Sequence, residues 1–250
     1  MTGSPPQPIP AATLIVMRER PSGAPDLLIV ERSAAMRFAG GALVFPGGRV
    51  DPGDHALAAL HPGDADDIAA RIAAIRETIE EAGLAIGVPE LPDREAARAA
   101  LYSGEPVGEV LGEMDLDLDA LVPFARWLPP EDVSHKVFDT RFYLAKLPQG
   151  ADGTAAVDGN ENVRLFWATA QDVLDMADKG DARIIYPTRR NLERLAQFGS
   201  FAEAVEDARA HRIQAITPRV EMRDGEARLC IPEGLGYPVT SQPVKTASRA

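Results

Sequence analysis

The chain has 250 residues, 45% of them hydrophobic, so it is long enough to bury one sizeable core. Its formal net charge of −12 argues against nucleic-acid backbones and anionic membranes as main partners. The single cysteine, Cys230, excludes an internal disulfide framework and a cysteine zinc site, and it favours a reducing compartment. No apolar run approaches the roughly 20 residues that cross a bilayer, and the Pro-rich N-terminus lacks the order of a signal peptide. We therefore expect a cytoplasmic protein.

The first predicted elements are short aliphatic strands. Residues 13–18 and 27–31 are β-branched and aliphatic runs separated by a Pro/Gly-rich turn, which predicts a hairpin-like pair. Residues 41–45 predict a third strand, which enters the turn Phe45-Pro46-Gly47-Gly48. Two Pro-Gly-Asp triplets follow, and because these are turn formers we expect a loop over about residues 54–64.

A long amphipathic helix is predicted next, with Asp66 or Asp67 as its N-cap. Its apolar residues recur at about 100° per residue and form one stripe. These residues are Ile68, Ile72, Ile75, Ile79 and Ala82. Glu77 and Glu81 lie one turn apart on the opposite side, with Glu80 close to them. Like charges at this spacing destabilise an isolated helix by a few tenths of a kcal/mol, whereas a hard cation could use them as oxygen ligands. The alternative is an ordinary solvated acidic face.

The remainder of the chain alternates strands and helices without the regular βαβ period of a parallel sheet. The predicted elements are a helical addition over about residues 92–119, strands at residues 124–127, 139–144 and 165–168, a helix from Thr169, C-terminal helices over about residues 188–212, and an extended tail over residues 218–250. This interleaving favours a mixed α/β protein.

The acidic segment resembles the second half of the Nudix box, R-E-U-x-E-E-x-G-U, in which U is apolar. The matching residues are Arg76, Glu77, Glu80, Glu81, Gly83 and Leu84. Thr78 stands in the first apolar position, which is a mild departure. The first half of the box departs further, since Asp54 rather than a glutamate follows Gly48 at the expected distance. In addition, 21 residues separate Asp54 from Arg76, which is more than the family pattern allows. The loop over about residues 54–64 is therefore a loop insertion relative to that pattern. This departure puts in doubt a role for Asp54 as the missing glutamate.

The resemblance implies a Nudix-type α/β/α sandwich with a mixed β-sheet, forming one domain over residues 1–250. It also implies a hydrolase that cleaves a diphosphate bond in a nucleotide derivative. In that family pattern, Glu77, Glu80, Glu81 and the backbone carbonyl of Gly48 would hold Mg²⁺ or Mn²⁺, while Arg76 would orient the carboxylates. A homodimer is a family-level expectation.

The general base varies within this superfamily, and two residues are candidates here. Glu77 is one, on the predicted metal helix. Glu161 is the other, because it precedes a predicted strand where many Nudix proteins place a loop glutamate. As an isolated loop acid, Glu161 has an equally good interpretation as an ordinary surface residue.

The residues ahead of the box are similar to a signature of the coenzyme A diphosphatase branch of the family. The signature is matched by Arg32, Ser33, Arg37, Gly41 and the turn Phe45-Pro46-Gly47-Gly48. Val30 replaces its threonine. The resemblance implies that Arg32, Arg37, Gly47 and Gly48 bind a bulky ligand with several phosphates, since guanidinium groups bind phosphate in a bidentate manner. The alternative is that both arginines pair with nearby carboxylates.

Three functions are therefore open. The first is hydrolysis of CoA or acyl-CoA to 3′,5′-ADP and (acyl-)4′-phosphopantetheine. The second is a pyrophosphatase of the same family that acts on ADP-ribose, NADH or a related nucleotide. The third is a non-catalytic sensor or regulator that binds a nucleotide derivative. All three require a small-molecule nucleotide ligand.

Overall fold

The computed structural model describes residues 7–36, 39–130, 137–151, 155–156 and 162–247. Within these ranges the strands are β1 (Ile9–Arg18), β2 (Asp26–Arg32), β3 (Ala42–Val44), β4 (Gly47–Arg49), β5 (Val122–Trp127), β6 (Phe138–Lys146), β7 (Asn162–Thr169), β8 (Arg183–Ile184), β9 (Ala215–Ile216), β10 (Arg219–Arg223), β11 (Glu226–Cys230) and β12 (Ser241–Pro243). The helices are α1 (Pro52–Ala58), α2 (Ala65–Ala82), α3 (Arg94–Tyr102), α4 (Val107–Leu111), α5 (Ala170–Lys179), α6 (Tyr186–Leu195), α7 (Phe201–Ala210) and α8 (Val244–Ala247), and a 3-10 turn covers Leu118–Ala120. None of the described helices is both long enough and apolar enough to span a membrane.

Strand β1 lies at the centre of the main sheet. Among the described residues, the sheet has the order β8-β3-β2-β1-β6-β5-β9, with β4 paired to β1 and β7 paired to β2. β1 runs parallel to β6 from Ile9 to Met17, and antiparallel to β2 and β4. The sheet is therefore mixed, and the pairing of β1 with β2 confirms the predicted hairpin-like pair.

Helices cover both faces of this sheet. Successive side chains of a strand point to opposite faces, and β1 is apolar on both. Ala12, Leu14 and Val16 pack in a cluster with α2, whereas Ile15 and Met17 pack in a second cluster with α5, α6 and α7. The predicted α/β/α sandwich with a mixed sheet is confirmed.

The N-cap of α2 is Asp64, so the prediction of Asp66 or Asp67 is wrong. The Asp64 carboxylate accepts hydrogen bonds from the backbone N–H groups of Asp66 and Asp67, at 3.0 Å each. The preceding Pro-Gly turn ends at Asp64, which puts that side chain within reach of the first free amides of the helix. The Asp67 carboxylate instead accepts from Arg71 Nε at 2.7 Å.

The loop insertion predicted for residues 54–64 is partly helical. Helix α1 occupies its first half, starting at Pro52, and the Asp54 carboxylate accepts a hydrogen bond from the Asp51 amide at 2.8 Å. Proline is favoured in the first turn of a helix, where its missing N–H costs nothing. The Pro-Gly-Asp triplet at residues 52–54 therefore starts a helix, rather than the turn that its composition predicts.

Within the predicted extended tail over residues 218–250, the described residues 218–247 contain regular secondary structure. β10, β11 and β12 form an antiparallel sheet, followed by α8. Asp224 and Gly225, with φ of 52° and 79°, make the turn between β10 and β11. An Asp-Gly pair between alternating residues is a strong hairpin signal, so the sequence carried this element.

Candidate active site

The two glycines of the turn at residues 45–48 begin β4, which lies against the start of β1. Gly47 pairs with Thr13 and Gly48 pairs with Ala12. A Cβ on Gly47 would overlap the Ala12 carbonyl oxygen and lie 2.7 Å from Thr13 Cα, so no larger residue fits. The Gly47 amide donates to Glu81 Oε2 at 2.9 Å. The turn therefore lies directly on the acidic side of α2.

The last two turns of α2 bring the predicted carboxylates to this turn. Glu81 is 5% exposed, while Glu77 and Glu80 are partly buried. Gly48 lies so close to Glu77 that an added Cβ would overlap its carboxylate. Thr78, in the position where the family pattern has an apolar residue, is buried, and its hydroxyl donates to the Ala74 carbonyl at 2.7 Å. The hydroxyl is satisfied within the helix, so the departure leaves the helix intact.

Arg76 joins these carboxylates to the rest of the site. Its Nη1 donates to Glu77 Oε1 at 2.9 Å and to Glu80 Oε1 at 3.0 Å, and its Nη2 donates to the Arg49 carbonyl at 2.8 Å. Nε and Nη2 together hold both oxygens of Asp54, at 3.0 Å each. Burial opposes the charge of Arg76, but these acidic neighbours raise its pKa above the ordinary value.

Asp54 lies in this cluster, although the long separation from Arg76 puts its role in doubt at the level of the sequence. It is fully buried, and its paired hydrogen bonds with Arg76 place it in contact with the acidic motif. The sequence signal for Asp54 is an acidic side chain at the expected distance from Gly48. The separation from Arg76 is spanned by α1, the following turn and the first part of α2.

The electrostatics of the site are dominated by crowded negative charge. Burial, together with the charges of Glu81 and Glu80, raises the pKa of Glu77 to about 8, against the lowering effect of Arg76. Burial likewise raises the pKa of Glu80, against the lowering effect of Arg76. The positive charge of the Arg76 guanidinium therefore offsets only part of the negative charge of these carboxylates.

The donor atoms of these residues are of the kind that bind a hard divalent cation, but the side chains do not converge on one position. All the donors are oxygens, which Mg²⁺ and Mn²⁺ prefer. However, no three Asp, Glu, His or Cys side chains in the described part of the chain converge closely enough to hold a metal ion. Glu77 and Glu80 turn toward Arg76, and Glu81 turns toward the Gly47 amide. Metal binding would therefore require rotation of these side chains.

Of the other predicted site residues, the structure describes Arg32 but not Arg37 or Glu161. Arg32 ends β2, is 14% exposed, and has its Nη1 at 3.9 Å from Glu81 Oε1. It therefore lies at the edge of the acidic cluster. Arg37 and Glu161 lie outside the described residues. Asn162, which follows Glu161, is buried and pairs with Arg32 across β2 and β7.

Two further features, a cavity and the cysteine, lie outside this cluster. A cavity of about 570 Å³ is lined by Trp127, Tyr186, Leu229 and several prolines, and it contains none of the predicted site residues. Cys230 is buried, as a structural cysteine would be.

Replacing Gly48 tests how closely the turn approaches α2. Gly48→Ala should lower the free energy of unfolding by about 1–3 kcal/mol, because the added methyl group forces Glu77 to move. Chemical denaturation measures the change. Gly108→Ala is the matched control, since a Cβ there meets no atom within 4 Å, and its stability should be unchanged or raised by up to about 1 kcal/mol. Equal stability of the two variants would contradict the packing described here.

Comparison with known proteins gives an informative structural match. No family model matches the sequence. A Nudix hydrolase from Alicyclobacillus acidocaldarius is 28% identical, with a TM-score of 0.70, over 80% of this chain and 96% of its own. Two more distant matches are the Nudix domain of Shewanella oneidensis NrtR in complex with ADP ribose (11% identity, TM-score 0.45, 77% and 88% covered) and a MutT Nudix hydrolase from Burkholderia pseudomallei (18%, 0.42, 75% and 98%).

The two distant matches are too dissimilar to inform the activity. The Alicyclobacillus protein is the match that matters, because it spans most of both chains at substantial structural agreement. This chain has the fold of a Nudix hydrolase, and the comparison supports a Nudix hydrolase enzyme.

Proposed function

We propose that this protein is a divalent-metal-dependent Nudix hydrolase that cleaves the diphosphate bond of CoA or acyl-CoA, releasing 3′,5′-ADP and (acyl-)4′-phosphopantetheine. The observation that carries the chemistry is the cluster of Glu77, Glu80 and Glu81 around Arg76, directly beside the Gly47-Gly48 turn. A surface salt-bridge network would have no need of a glycine turn that excludes every side chain at this point.

The metal ligands in this proposal are the carboxylates of Glu77, Glu80 and Glu81 and the carbonyl oxygen of Gly48. A bound Mg²⁺ or Mn²⁺ would lower the pKa of water and offset negative charge on the diphosphate. The protein's own contribution is to bring the carboxylates together on one side of α2, beside the glycine turn. Arg76, itself held by Asp54, hydrogen-bonds Glu77 and Glu80 and so orients them before they would turn to the metal.

The proton acceptor in this proposal is Glu77 or Glu161. Glu77 is supported by its position in the acidic cluster, beside Gly48. Glu161 is supported by sequence position alone. Glu161→Gln separates them, because it should remove the acidic limb from the pH profile of kcat only if Glu161 is the base, and Glu161 is not among the proposed metal ligands.

The CoA part of the proposal rests on the residues before the turn. Arg32 lies at the edge of the acidic cluster, where a phosphate of the substrate would meet it. With Arg37 it supplies two guanidinium groups, which a ligand with a 3′-phosphate besides its diphosphate would use. ADP-ribose and NADH lack that additional phosphate.

The test is hydrolysis of CoA, an acyl-CoA, ADP-ribose and NADH in parallel, with Mg²⁺ or Mn²⁺ and with products identified by mass. We expect 3′,5′-ADP from the CoA substrates. Cleavage of ADP-ribose or NADH alone would keep the chemistry and overturn the substrate. No cleavage of any substrate with either metal would contradict the proposed hydrolase and favour the sensor.

Arg37→Ala tests the source of CoA specificity. Loss of a charge-assisted hydrogen bond of about 1.5–3 kcal/mol should raise KM for CoA about 10- to 100-fold, with a much smaller change for ADP-ribose. Steady-state kinetics on both substrates measures the ratio. Arg20→Ala is the control, since Arg20 is an exposed arginine that lies 3.6 Å from Asp26. A similar rise in KM for both substrates would remove Arg37 from 3′-phosphate recognition.

A further inference from the structure

The carbonyl groups at the C-terminal end of α2 accept hydrogen bonds from three different parts of the chain. The last carbonyl groups of a helix have no partner within it and must be satisfied from outside. Gly83, in the left-handed conformation with φ of 69°, donates its amide to Ile79 O at 2.9 Å, and the Leu84 amide is 3.4 Å from Thr78 O. These local contacts leave the carbonyl groups of residues 80–82 to be satisfied by other segments of the chain.

Arg98 satisfies two of those carbonyls. It lies on α3, in the helical addition, and is partly buried. Its Nε donates to Glu80 O at 2.9 Å, and its Nη2 lies within hydrogen-bond distance of Glu81 O at 3.3 Å. The last turn of α2 contains no basic residue of its own. Arg98 therefore also supplies the positive charge that favours the C-terminal end of a helix dipole.

The same guanidinium reaches a third segment. Arg98 Nη2 donates to Ala156 O at 2.8 Å, and the Ala156 amide donates to Ala82 O at 3.0 Å, which satisfies the last carbonyl of α2. Ala155 packs against the core cluster that contains α2. Residues 155–156 are thus fixed to the end of this helix, a short distance along the chain before Glu161.

We propose that Arg98 is a positioning residue of the active site. It touches neither the predicted substrate nor the carboxylates. Instead it holds the backbone that carries Glu80 and Glu81 and joins it to the segment before Glu161. The helical addition thereby becomes part of the catalytic framework. The catalytic meaning of this inference rests on the proposed function, whereas the contacts themselves do not.

The test compares three variants of the full chain. Arg98→Met keeps the aliphatic stem and removes every donor, while Arg98→Lys keeps the charge but cannot span three carbonyls. Arg71→Met is the matched control. Arg71 also donates to two carbonyls, Leu118 O and Leu121 O at 2.7 Å each, but it lies in the N-terminal half of α2.

Two readouts are independent of turnover: amide hydrogen exchange along α2 and residues 155–156, and the Kd for Mn²⁺ by calorimetry. Arg98→Met should speed exchange at Gly83, Leu84 and Ala156 and raise the Kd about 10- to 100-fold, the usual cost of losing an outer-shell partner. With substrate, kcat should fall with little change in KM. Arg98→Lys should show smaller effects. Arg71→Met should lower the thermal midpoint and leave the Kd unchanged.

Each contrary result has a distinct meaning. Unchanged exchange in Arg98→Met would show that the contacts do not hold the helix end, and would overturn the inference. Faster exchange with an unchanged Kd would reduce Arg98 to a structural role. A wild-type protein that binds no Mn²⁺ would contradict the proposed function, and the metal part of this inference with it, while the exchange measurement would still judge the contacts.

Discussion

Glu81→Gln is expected to lower kcat on the order of 10³-fold while leaving the fold intact. The proposed metal site loses a charged ligand, and metal ions contribute several kcal/mol of transition-state stabilisation. The fold should survive because the amide oxygen of glutamine can still accept the hydrogen bond that the Gly47 amide now donates to Glu81 Oε2 at 2.9 Å. Steady-state kinetics at saturating Mg²⁺, together with circular dichroism, measures both effects.

The control for this variant is Glu206→Gln, which removes the same charge from an exposed position on α7. Its kcat should match that of the wild type. If Glu81→Gln also retained full activity, Glu81 would not be a metal ligand. If both variants lost activity equally, net charge rather than a local site would explain the effect.

Arg76→Met is expected to lower the free energy of unfolding by about 3–5 kcal/mol, the usual cost of removing one partner from a buried ion pair. Arg76 is 8% exposed and Asp54 is fully buried. Without the guanidinium, the Asp54 carboxylate keeps its hydrogen bond from the Asp51 amide but loses its countercharge. Urea denaturation followed by circular dichroism measures the loss.

Asp54→Asn keeps this prediction testable if Arg76→Met does not fold. The substitution removes the charge but keeps an acceptor for the Asp51 amide, so it should cost less than the arginine variant. In a double-mutant cycle, the two changes should couple by at least about 1 kcal/mol, because the residues are in direct contact. Additive effects would show that Asp54 and Arg76 do not stabilise each other.

The position of Asp54 explains how an interrupted motif still forms one site. Helix α1 sets Asp54 at its first turn, and α2 sets Arg76 well past its midpoint. The two helices pack against each other, so the contact does not depend on the number of residues between them. Leu60, in the turn between them, is exposed.

The sequence alone determined the features that depend on local pattern. The stripe from Ile68 to Ala82 predicted α2 because helix period and apolar spacing agree, and that helix buries those residues. The same period brought Glu77, Glu80 and Glu81 to one side. The hairpin of β10 and β11 is also a local feature, since Asp224-Gly225 is a hairpin signal.

Tertiary structure decided the contacts that carry no local pattern. Arg76 reaches Asp54 across 22 positions, and the Gly47 amide reaches Glu81 across 34. Arg98 binds main-chain carbonyl oxygens, which every residue possesses, so no side-chain spacing could have identified its partners. Sequence patterns record periodicity and residue type. The pairing of distant groups depends on how the elements pack, because only packing fixes which backbone atoms lie within reach of a given side chain.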